Sequence, residues 1–102
     1  MFNVNRITIE DKEFYTYQVK LPKTNLLVIS NDVGYFMCGA LDVAVFDSKP
    51  HLQARKVICG RALGVKTIDD LLNAPLKEVT KAAEQKGITE GMIVRDALLK
   101  LD

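Results

Sequence analysis

Apolar and polar residues alternate with a period of two through the first third of the chain, and that period fades afterwards. Ile7 and Ile9 share one side of a stretch at 6–10, and Glu10-Asp11-Lys12-Glu13 follows as a polar turn. From 14 to 21, Tyr15, Tyr17, Val19 and Leu21 occupy one side while Phe14, Thr16, Gln18 and Lys20 occupy the other. That is the pattern of a half-buried strand, and the two stretches predict a hairpin. Pro22 cannot donate to a ladder, so 21–25 reads as a connector. Leu26-Leu27-Val28-Ile29-Ser30 is a short continuous apolar run, suited to a strand buried on both sides. Asn31-Asp32-Val33-Gly34 is a turn signal, and 35–38 returns as the next strand. A four-stranded meander is predicted.

The stretch at 40–47 fits two patterns. Leu41, Val43 and Val45 alternate as a strand does, whereas Leu41, Ala44, Val45 and Ser48 share a helical face. A short helix is the preferred reading, with Gly39 as the break before it. A fifth strand is predicted at 56–63 and ends at Gly64. Helical spacing then takes over. Thr67 suits an N-cap, with Asp69 and Asp70 in the first turn, where the helix dipole favours acids. Ile68, Leu71 and Leu72 give this helix its apolar side. Pro75 fits the first position of a second helix lined by Leu76, Val79, Ala82 and Ala83 and closed at Gly87. Thr89 is placed to cap a third, with Ile93, Val94, Ala97, Leu98 and Leu101 facing inward.

Strands first and helices afterwards predict one α+β domain: an antiparallel meander plus one further strand, with helices packed on one sheet face. Its parts are a β-rich, oligomerising 1–38, a junction at 39–66 with the short helix and strand, and a helical 67–102. One layer of helices covers one face only. The other face would then show Leu27, Ile29 or Phe14 to water, which predicts a homo-oligomer through the N-terminal β-region.

Composition narrows the function classes. The 102 residues are 48% hydrophobic, enough for a single core. The net charge is +1 and the pI is near 7.7, with neither half markedly charged. No basic footprint for nucleic acid follows from that balance. The start, Met1-Phe2-Asn3-Val4-Asn5-Arg6, lacks the pattern of a signal peptide, and no apolar run approaches the roughly 20 residues of a membrane span. A soluble, cytoplasmic chain with two reduced cysteines, Cys38 and Cys59, is expected.

Candidate chemistry gathers around the stretch Gly34-Tyr35-Phe36-Met37-Cys38-Gly39-Ala40-Leu41-Asp42-Val43. Asp42 lies in an apolar run and needs donors or a cation. Arg61, like Asp42, leaves an apolar strand beside a glycine, so the two are expected at the same end of the sheet. A buried ion pair, or Asp42 capping the following helix, is the reading preferred over a site. Cys38 precedes a possible helix N-terminus, which can activate a thiol, and His51 or Arg61 are the residues that would complete such a site. Lys20, Lys23 and Asn25 around the Pro22 turn form a candidate anion site. Cys38, Cys59 and His51 are the only soft metal ligands and have no zinc-type spacing, so neither metal nor cofactor is expected.

Several stretches together resemble the YunC-like family of small uncharacterised bacterial and archaeal proteins, domain of unknown function 1805. They are Lys20-Leu21-Pro22-Lys23-Thr24-Asn25, the run from Gly34 to Ala44, Gly60-Arg61-Ala62-Leu63-Gly64-Val65, Thr67-Ile68-Asp69-Asp70-Leu71-Leu72 with Pro75-Leu76, and Arg95-Asp96-Ala97-Leu98. The resemblance implies an α+β fold whose N-terminal β-region takes part in tetramer-like self-association. It assigns no activity and no catalytic residue. The expectation is therefore a small cytoplasmic homo-oligomeric binding or assembly domain, with any ligand site at a subunit boundary near Asp42. The alternative is a small enzyme using Cys38 or Asp42 with Arg61 and His51.

Overall fold

A computed structural model of the chain describes residues 2–22, 24–39 and 57–101. The first four predicted strands form in order: β1 (Phe2–Ile9), β2 (Lys12–Leu21), β3 (Thr24–Ser30) and β4 (Gly34–Cys38), each antiparallel to the one before. β1 and β2 close on the two-residue turn Glu10–Asp11, where both residues have positive φ (48° and 71°). That is the backbone of a type I′ hairpin, whose twist matches the strands it joins. Asn31 shapes the β3–β4 turn, its Oδ1 accepting from the N–H groups of Val33 (2.8 Å) and Gly34 (3.1 Å).

β5 (Ile58–Ala62) pairs with β4 in parallel, Gly34 opposite Ile58 and Cys38 opposite Ala62. A sixth strand, β6 (Glu78–Val79), runs antiparallel to β5, so the sheet order is that of the sequence, β1-β2-β3-β4-β5-β6. The predicted helix at 40–47 lies outside the described residues.

The C-terminal helices are shorter than their periodicity implied. α1 (Ile68–Asn73) matches expectation, with Thr67 accepting from Asp70 N–H at 3.0 Å. The second helix does not begin at Pro75. Pro75 instead forms a bridge to Ile93, residues 78–79 join the sheet, and α2 occupies only Lys81–Gln85. Gly60 explains why a strand prevails at 78–79. A Cβ there would lie 2.9 Å from the Glu78 carbonyl, so only glycine lets β6 approach so closely. Thr80 then caps α2, its Oγ1 accepting from Ala83 N–H and donating to the Val57 carbonyl. The third helix, α3 (Val94–Leu98), starts after Ile93 rather than at Thr89, because residues 91–94 bond back to 74–76 (Leu76 N–H to Met92 O, 2.8 Å; Val94 N–H to Ala74 O, 3.0 Å).

These helices cover one sheet face, but not the one that leaves Leu27, Ile29 or Phe14 open. Phe14, Leu27, Ile29 and Phe36 are buried in one core with Leu71, Ile88, Val94 and Leu98. The uncovered side of β1–β3 carries Val4 and Tyr15, 47% and 41% exposed, with Tyr17, Val19, Leu26 and Val28 half-buried. β3 is thus fully buried on its core side only. On the same outer face Met37 and Cys59 are buried and form a satellite cluster with Val28, Tyr35 and Val57. Among the described residues no helix is long and apolar enough to cross a membrane.

Candidate functional site

The parallel pairing of β4 with β5 sets two rows of side chains. Phe36 and Cys38 face the core, while Tyr35 and Met37 lie on the outer face opposite Cys59 and Arg61. Arg61 is the hub of the outer row. Its Nε donates to Glu78 Oε1 at 3.0 Å, and its Nη2 contacts the same oxygen. Glu78 is the residue directly opposite on β6, so this is a cross-strand ion pair. Nη1 also reaches the Gly39 carbonyl at 3.4 Å, which ties the carboxyl end of β4 to β6 through one guanidinium. The side chains are 21% and 31% exposed, so the pair sits at the rim of the buried patch rather than inside it.

β4 and β5 run parallel and finish in register, Cys38 opposite Ala62. The expected placing of Asp42 at the same end of the sheet as Arg61 falls on a residue outside the described ones, as do His51 and Lys23. Cys38 does not join Arg61, because the two face opposite sides of the sheet. The Cys38 thiol is buried, donating to the Asn25 carbonyl and accepting from Leu27 N–H, both at 3.4 Å. Lys20 and Asn25 do come together, as exposed cross-strand neighbours on β2 and β3.

Sequence reasoning missed one pair. Tyr35 lies opposite Cys59, and its hydroxyl hydrogen-bonds the thiol. Burial first, and then the neighbouring Cys59 as a competing anion and hydrogen-bond partner, push the Tyr35 hydroxyl up to about 12. Nothing in the spacing of 35 and 59 signals this, because only parallel pairing makes them neighbours. Tyr35 also borders a cleft of about 290 Å³ between residues 31–35 and the start of β5 at Val57 and Ile58. Its two wall residues with polar side chains and known partners are already engaged: Asn31 holds the turn, and Tyr35 holds Cys59. Among the described residues no group of three or more His, Cys, Asp or Glu is placed to hold a metal ion.

A family model described as a domain of unknown function (DUF1805) matches residues 37–101. The chain belongs to the DUF1805 family. It is 54% identical over 101 residues to the uncharacterized protein YunC of Bacillus subtilis (strain 168), covering 99% of this chain and 98% of that one. The crystal structure of TA1206, a protein of unknown function from Thermoplasma acidophilum, superposes with a TM-score of 0.85 at 31% identity. That match covers all of this chain (100%) and 94% of the other. Within this DUF1805 chain, Cys38, Cys59, Arg61 and Glu78 fall inside the matched region, whereas Lys20, Asn25 and Tyr35 precede it.

Proposed function

We propose that this DUF1805 chain is a small cytoplasmic homo-oligomeric domain whose role is binding or assembly, with any ligand held at a subunit boundary near Asp42. The open half of the outer sheet face supports this reading. Val4 and Tyr15 are exposed there beside half-buried Tyr17, Val19, Leu26 and Val28, on strands that no helix covers among the described residues. A contiguous apolar surface of that kind is uncommon on a monomer and serves as an interface. The sheet topology supports that ligand position. Ligands of parallel strands gather outside the carboxyl ends, and Arg61 stands at that end, four positions beyond which on β4's side lies Asp42.

An enzyme built on Cys38 with Arg61 and His51 draws no support from the described residues, since the thiol and the guanidinium are on opposite faces. Sedimentation equilibrium at micromolar concentration tests the preferred reading. The wild-type mass should exceed 11.4 kDa, Tyr17→Glu should return it toward the monomer, and Lys100→Glu, on an exposed helix-side position, should leave it unchanged. A wild-type mass staying near the monomer value refutes the reading.

A further inference from the structure

The two edges of the sheet are unlike each other. β6 is two residues long and carries a charged residue, Glu78, which leaves little edge to pair. β1 is eight residues long, Phe2–Ile9, and among the described residues no strand lies beyond it. It contains no proline, no glycine and a single charge, Arg6. Apart from Arg6, none of the usual devices that blunt an edge is present.

The hairpin fixes which backbone groups face outward. Ile9 and Lys12 close a two-residue turn, so they form a hydrogen-bonded pair. Hydrogen-bonded and non-bonded pairs alternate along an antiparallel ladder. Asn3, Asn5, Ile7 and Ile9 therefore direct their N–H and C=O groups at β2. The Thr16 hydroxyl, donating to the Asn5 carbonyl at 3.4 Å, agrees with that direction. Phe2, Val4, Arg6 and Thr8 direct theirs away from the sheet.

We propose that β1 pairs antiparallel with β1 of a second copy about a twofold axis at Asn5, continuing the sheet across the subunit boundary. This mode rests on the self-association proposed above and adds a second, edge-to-edge contact to the face. The register is selected by the strand itself. With Asn5 on the axis, Phe2 meets the partner's Thr8 and Val4 meets the partner's Arg6, so all four outward residues find partners. An axis at Val4 leaves Thr8 unpaired. An axis at Arg6 sets two guanidinium groups directly opposite, which is unfavourable. A register between these would set the outer face of one strand beside the core face of the other.

Asn5 then faces the partner's Asn5 as a non-hydrogen-bonded pair, with Cα atoms about 4.5 Å apart. Disulfides accept Cα separations of about 4.4–6.8 Å, so this position suits a crosslink. In the full-length chain under mild oxidation, Asn5→Cys should form a dimer joined through residue 5. Asn3→Cys, opposite the partner's Ile7, should do so at least about tenfold more slowly. Val4→Pro removes an N–H that points away from β2, a substitution an edge strand tolerates. It should lower the sedimenting mass of the assembly while far-ultraviolet circular dichroism stays native. Equal crosslinking at positions 3 and 5, or an assembly indifferent to Val4→Pro yet dissociated by Tyr17→Glu, would overturn the edge pairing and leave the face contact standing. A monomeric wild type would overturn both.

Discussion

Lys12 and Leu99 lie 87 positions apart, yet the Lys12 ammonium donates to the Leu99 carbonyl at 2.9 Å. Asn31 repeats the arrangement from the next turn, its Nδ2 donating to the Leu101 carbonyl at 2.9 Å. The carbonyls that end a helix have no intrahelical donor, and a cation near them also suits the helix dipole. Two turns at one end of the sheet thus hold the chain at the end of α3, at the C-cap Leu99, and just beyond it, at Leu101.

Asn31→Ala removes a donor to Leu101 and an acceptor for two turn amides together. It should destabilise the fold by about 1–3 kcal/mol, more than Lys12→Met, whose ammonium is partly solvated. Urea unfolding of both variants would check the order.

Gly60→Ala places a methyl against the Glu78 carbonyl, the Leu76 side chain and Val79. Overpacking of this kind costs about 1–3 kcal/mol. Thermal unfolding should show the loss, and amide exchange should show β6 released from β5 first.

The Tyr35 hydroxyl should titrate near 12 in the folded protein, against about 10 when unfolded. Because the folded state holds its proton more tightly, this group contributes stability below about pH 10 and loses it as pH rises from 10 toward 12. Phenolate absorbance would follow the titration. Cys59→Ala should bring the value back only part of the way, since burial is the larger cause.

How far the sequence could be read depended on the range of each signal. β1 to β4 were legible because alternation is local to each strand. Which face turned inward was not: alternation marks two sides without ranking them. Phe14, Leu27, Ile29 and Phe36 went to the core, while Tyr15 and Tyr17, whose hydroxyls keep a hold on water, stayed outside. The glycines marked where β4 and β5 stop, Gly39 and Gly64, but not that the two strands pair in parallel. Glu78 as the partner of Arg61 was not, because a two-residue strand carries no period and its pairing depends on the missing side chain at Gly60.

Both thiols are buried, Cys38 on the core side and Cys59 beneath Tyr35. A maleimide should therefore label neither in the native protein, and both after unfolding in urea, as read by intact mass. Rapid native labelling of Cys38 would reopen the enzyme reading.

The order of strands along the sheet repeats their order along the chain, and this bears on how the molecule is made. Each strand emerging from a ribosome can add beside its predecessor, so the meander has no need to wait for distant sequence. Its cover does have to wait. Phe14, Leu27, Ile29 and Phe36 are shielded by Leu71, Ile88, Val94 and Leu98, the last two of which are made after every strand of the sheet. At about 5–20 residues per second the half-built sheet stands bare for seconds. A transcript broken before α3 would release a product with its greasiest side open, and such fragments should collect in aggregates or be removed by chaperones and proteases.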